Sequence, residues 1–99
     1  MPRRGLFERE IVRAVAGIAS GILRPESYEP AYLAAHVAEA VRRVGLQLRS
    51  AGETIYCVLC RRGPFTRKGY YLHLSRVHYH EILRLVWDES ERVAREGTL

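Results

Sequence analysis

Asparagine is absent from this 99-residue chain, glutamine occurs once (Gln47) and lysine once (Lys68). Arginine therefore supplies fifteen of the sixteen basic residues. Depletion of heat-labile amides predicts a thermophilic source, a bias that a GC-rich genome would also produce on the arginine side. Two cysteines are too few for a disulfide framework, and the opening "MPRRGLFERE" lacks the apolar core of an export signal. Both point to a reducing, cytoplasmic or nucleoid-associated setting rather than secretion. No uninterrupted apolar run reaches the ~18 residues that a membrane span needs, so no membrane partner is expected. Glycine-rich phosphate cradles, internal repeats and low-complexity segments are missing as well.

The composition is that of an ordinary folded protein, with 47% hydrophobic and 27% charged residues. Its net charge of +5 is unevenly spread. Residues 1–53 hold eight arginines against six glutamates, and residues 81–99 hold three arginines against five acids. Residues 54–80 carry four arginines and one lysine with no acid at all. A local excess of this kind favours a polyanionic partner, either nucleic acid or an acidic protein face.

Residues 6–23 place Phe7, Ile11, Val15, Ile18 and Ile22 at helical spacing, with Gly17 and Gly21 four apart to admit a close neighbour. "RPESYEP" (24–30) is a break, and Pro30 suits the first turn of a second helix running to about Arg49. Leu33, Val37, Val41, Val44 and Leu48 would form its buried stripe, and Gly52 its stop. A short connection predicts an antiparallel helical hairpin over 1–53. "TIYCVLC" (54–60) suits a short strand, "RRGPF" a turn and Phe65 the start of a return strand. From Thr66 the pattern is helical to about Arg95, so residues 81–99 extend the same helix.

Within this segment the spacing is Cys57-x2-Cys60-x12-His73-x4-His78. Two thiolates and two neutral imidazoles are a tetrahedral donor set for Zn2+, and the thiolates cancel its charge. A Cys-x-x-Cys pair alone also suits a redox site, but that chemistry needs a βαβ setting, which the pattern lacks. His80 is a less well spaced alternative to His78, and His36 reads as a partly buried structural histidine.

On these intervals residues 54–80 resemble the Cys2His2 zinc-finger family, as a single finger of the type found in small archaeal, thermophile or viral proteins. The resemblance implies a ββα unit with one zinc held by Cys57, Cys60, His73 and His78. Two packing positions depart from the family: Pro64 stands where an aromatic is expected, with Phe65 one later, and Tyr70 stands where a leucine is expected. Phe65 and Tyr70 are therefore expected to fill the same space. The fold class expected is mostly α with a small β-hairpin: an N-terminal helical hairpin packed on a ββα finger with an extended last helix.

With four protein ligands the site has no open position for a substrate, so an enzyme is not expected. The positions that face bases in this family correspond to Thr66, Gly69 and Leu72, none of which reads a base edge bidentately. Arg61, Arg62, Arg67, Lys68 and Arg76 instead suit phosphate contacts, with Tyr70, Tyr71 and Tyr79 available to stack on unpaired bases and Arg3 and Arg4 as a basic arm. The expected function is a zinc-stabilised nucleic-acid-binding protein, DNA before RNA, serving regulation or packaging. The alternative is a protein-interaction or assembly module, or a homodimer through the helical part, in which Leu72, Leu83 and Trp87 form an apolar stripe.

Overall fold

The computed structural model describes residues 2–97, with side chains from Phe7 onward; those of Arg3 and Arg4 lie outside the described residues. The first helix, α1 (Pro2–Ser20), buries Ile11, Val12, Val15 and Ile18 on one face. It stops where Gly21 enters the left-handed region at φ 84°. The N–H groups of Ile22 and Leu23 then turn back to the Gly17 carbonyl at 2.9 and 3.0 Å. This is the closure that a glycine just past a helix end permits. Ile22 and Phe7, at the two ends of the predicted stripe, are exposed.

The second helix, α2 (Ala35–Gln47), begins five residues later than Pro30 would have started it. Residues 21–34 form an irregular connection with one 3₁₀ turn at Pro25–Ser27, longer than the short loop expected. Residues 31–33 turn and Ala34, at the N-cap, is extended (φ −61°, ψ 147°), so the helical run starts only at Ala35. Val41, Val44 and Leu48 are buried as expected, while Leu33 and Val37 are only half-buried.

The close helix approach is made by another glycine than those the spacing suggests. A Cβ placed on Gly45 of α2 would stand 2.6 Å from both Cβ and Cγ2 of Ile18, so α1 and α2 touch backbone to side chain there. A Cβ on Gly17 would meet only Leu23, at 3.1 Å. The helical segment 67–96 is divided into α3 (Arg67–Val77) and α4 (Tyr79–Glu96). The α4 helix packs mainly on α2, and α1 lies against both α2 and α3. One apolar core takes Ile11, Val15 and Ile18 from α1, Val41 and Val44 from α2, Leu74 from α3 and Ile82 and Val86 from α4. Cys57 and Tyr70 belong to that same core.

The expected ββα unit does not form. Helix accounts for 65% of the chain, and the described residues contain no β-strand and no hairpin. A single isolated bridge joins Ile55 to Phe65, whose N–H donates to the Ile55 carbonyl at 2.8 Å. The reason is local. The Cys57 carbonyl accepts from Arg61 N–H, and Cys57 N–H donates to the Arg62 carbonyl, both at 2.8 Å. These bonds close a knuckle around the cysteines in place of a ladder. Arg61 takes φ 66°, Gly63 takes φ 147° and Pro64 has no N–H to offer, so the return segment cannot pair regularly.

The extended last helix is also corrected. It breaks at His78 (φ −110°, ψ 27°), which caps the end of α3 and the start of α4. No proline or glycine marks the break. Residues five apart on an unbroken helix point about 140° from each other, too far for His73 and His78 to converge on one centre. Breaking the helix at the second histidine turns its ring toward Cys57.

Candidate metal centre

The knuckle presents Cys57 and Cys60, α3 presents His73, and the α3–α4 junction presents His78. Their ligand atoms all lie within 4.8 Å of one another. Cys57 Sγ is 3.6 Å from His78 Nε2, and Cys60 Sγ is 3.3 Å from His73 Nε2. Zinc–sulfur bonds of about 2.3 Å and zinc–nitrogen bonds of about 2.0 Å at tetrahedral angles place neighbouring S and N about 3.5 Å apart. The four side chains therefore make a Cys2His2 group that can hold one metal ion, a donor set consistent with zinc.

The surroundings hold each ligand in place. Cys57 and His78 are buried, at 1% and 7% exposure, whereas Cys60 and His73 sit half-buried at the rim. Phe65 stacks on His73 with centroids 4.7 Å apart and on Tyr70 at 6.0 Å, the joint filling that the displaced aromatics predict. Tyr70 is fully buried; its hydroxyl donates to the Leu48 carbonyl at 2.5 Å and accepts from Val58 N–H at 3.4 Å. It ties the knuckle to the end of α2 and is not free to stack on a base. Thr66 caps α3 by accepting from Gly69 N–H at 2.9 Å.

A carboxylate that sequence reasoning missed completes the site. Glu81 Oε1 lies 2.7 Å from His78 Nδ1. With Nδ1 donating there, Nε2 is left free of hydrogen and turned to the centre, the usual carboxylate–histidine–metal relay. His78 and Glu81 three apart on helical sequence was the available signal. His73 has no carboxylate partner among the described residues.

The electrostatics separate the two thiols. The Cys60 thiol is pushed down to about 6, first by the Arg62 backbone N–H and then by hydrogen bonding with His78. Burial pushes the Cys57 thiol up. Burial works against protonation of His78, but hydrogen bonds with Cys60 and Glu81 outweigh it and the net shift is upward. A bound cation stabilises both thiolates and so takes the place of these protons.

Of the other sequence-predicted residues, Arg61, Arg62, Arg67 and Lys68 are exposed on the knuckle and the first turn of α3, and Arg76 is exposed near the helix's far end. Among the described residues none of the five makes an ion pair, whereas Arg42, Arg43 and Arg92 are joined to Glu39, Glu89 and Glu96. His80 lies outside the metal group and packs edge-on to Tyr79 at 5.1 Å. His36 is half-buried. The apolar stripe is interrupted, since Leu83 is buried, Leu72 lines a cleft against α1 and Trp87 is exposed. No described helix is long and apolar enough to cross a membrane. Comparison with protein-family models, curated proteins and solved structures gives no match for this chain.

Proposed function

We propose that the protein is a zinc-stabilised nucleic-acid-binding protein that holds the phosphate backbone, of DNA in preference to RNA, and that its zinc is structural. The observation that carries this reading is the contrast between two sets of cations. Arg42 and Arg43 on α2 and Arg92 on α4 are paired with glutamates, while Arg61, Arg62, Arg67, Lys68 and Arg76 stand exposed with no ion pair among the described residues. Charges left unneutralised on a rigid knuckle and helix cost self-repulsion and suit an external polyanion. The metal anchors that platform, because Cys57, Tyr70 and Leu74 share the core with α1, α2 and α4.

Thr66 spends its hydroxyl on the cap, Gly69 has no side chain and Leu72 offers no hydrogen bond, which supports backbone contact over base reading. Five phosphate contacts give a log–log salt slope of about −4.5 on duplex DNA, a loss of about 500-fold between 50 and 200 mM salt. Arg67→Ala or Lys68→Ala should each reduce that slope by about 1, uniformly across sequences. Absence of binding to mixed-sequence DNA and RNA at about 50 mM salt would overturn the proposal. Binding that survives complete metal removal would exclude the metal-held segment as the platform.

A second reading, docking of a protein or a second copy, is favoured by an apolar groove of about 310 Å³ flanked by Phe7, Tyr32 and Trp87. These three aromatics are 44%, 49% and 42% exposed. Sedimentation across a concentration range tests self-association directly.

A further inference from the structure

A cleft of about 370 Å³ runs between α1 and α3. Arg9 and Arg13, one turn apart on α1, form one wall; Tyr71, Ser75 and Arg76 of α3, with Tyr79 at the start of α4, form the other. Three guanidiniums around one concavity focus positive potential inward. Arg13 alone has an acid nearby, Glu10 at 3.8 Å, and both of those side chains are more than half exposed, so the pair neutralises little. Arg9 and Arg76 have no acidic partner among the described residues. Tyr71 and Tyr79 are half-buried with aromatic surface at the cleft, in contrast to the fully buried Tyr70.

We infer that this cleft seats an unpaired nucleotide of a single-stranded nucleic acid, its base on Tyr71 and Tyr79 and its flanking phosphates on Arg9, Arg13 and Arg76. The inference rests on the nucleic-acid reading above and names the form of substrate. The volume lies at the lower end of the ~300–1,000 Å³ range that seats small ligands, which suits one nucleotide and not a duplex edge. A duplex keeps its base faces stacked inside, whereas an unpaired base offers a face to a tyrosine, and cations with aromatics are the combination that single strands use. Ser75 at the wall donates its hydroxyl to the Leu72 carbonyl at 3.3 Å, which leaves its oxygen as an acceptor for a sugar hydroxyl. His78 fixes the helix break just before Tyr79, so the metal centre sets one wall of the cleft.

The test is fluorescence anisotropy with deoxythymidine and uridine oligomers of about 12 nucleotides, a duplex of matching length and an acidic peptide. The metal-loaded full chain is used throughout. Single strands should bind more tightly than the duplex. Arg9→Glu with Arg76→Glu, both at exposed positions, should remove most single-strand binding. Tyr71→Leu with Tyr79→Leu should lower it roughly tenfold to hundredfold, the value of stacked bases, and Phe at both positions should restore it. Equal affinity for single strand and duplex, unchanged in these variants but lost in Arg67→Ala with Lys68→Ala, overturns the cleft and leaves the basic platform standing. Failure to bind any nucleic acid overturns both. Tighter binding of the acidic peptide, lost in the same cleft variants, overturns the inference in favour of a protein partner.

Discussion

Removing the Glu81 carboxylate tests whether the Cys2His2 group is a built metal centre or four side chains that merely lie close. Glu81 holds His78 Nδ1 at 2.7 Å and so fixes which ring nitrogen faces the centre. Outer carboxylates of this kind are worth about 10–100-fold in metal affinity. The Glu81 side chain is 53% exposed, so water competes for the hydrogen bond and screens the charge, and the lower end applies. Glu81→Ala should thus weaken metal binding about tenfold, or about 1.4 kcal/mol. Glu81→Gln keeps an acceptor without the charge and should fall between Ala and the parent. Glu81 also sits in the first turn of α4, where a negative charge adds about 0.3–1 kcal/mol to helix stability with or without metal. Affinity and folding must therefore be read separately. Cobalt titration, followed by its tetrahedral absorption bands, and zinc competition against a chromophoric chelator give the affinity; thermal melting of the loaded protein gives the stability. Parental affinity in Glu81→Ala, or a loss that appears only in the melt, would refute the orienting role and leave Glu81 as a surface helix residue.

Gly45→Ala should destabilise the fold although alanine is the better helix former. Overpacking against Ile18 costs about 1–3 kcal/mol and helix propensity returns at most about 1 kcal/mol, for a net fall of several degrees in Tm. Tyr70→Phe leaves the Leu48 carbonyl without its donor and Val58 N–H without its acceptor; a loss of about 1–3 kcal/mol is expected in urea unfolding. Complete chelation should abolish two-state melting, since it removes the tie holding Cys57 and His78 in the shared core. The Arg43 guanidinium holds the Glu96 carboxyl below its ordinary value, so this interaction stabilises the fold above the unfolded-state value and is lost as pH falls through the folded one. Glu96→Gln should accordingly lower the urea midpoint at neutral pH, with the difference closing between about pH 5 and pH 3.

The sequence alone determined the features that depend on spacing along the chain. Cys57, Cys60, His73 and His78 were legible because ligand intervals are a one-dimensional constraint, and the structure brings those four together. The buried faces Ile11–Val15–Ile18 and Val41–Val44–Leu48 were legible from helical periodicity, and the acid-free charge of residues 54–80 from counting. What lay between the ligands was not. Thr54–Cys60 has strand-forming residues, yet the knuckle's own hydrogen bonds and the backbone of Arg61, Gly63 and Pro64 leave a single bridge where a hairpin was expected.

Only the tertiary structure decided the break at His78, the partner of that histidine, the close approach at Gly45 and the separation of Tyr70 from Tyr71 and Tyr79. Each depends on which groups from distant parts of the chain meet. His78 turns because Cys57 lies across the core, Gly45 is needed because Ile18 arrives there, and Tyr70 is buried because the Leu48 carbonyl receives its hydroxyl. Local propensity carries no information about such encounters; they are fixed when the helices close on one core, and so is the cleft in which Arg9 and Arg13 face Arg76.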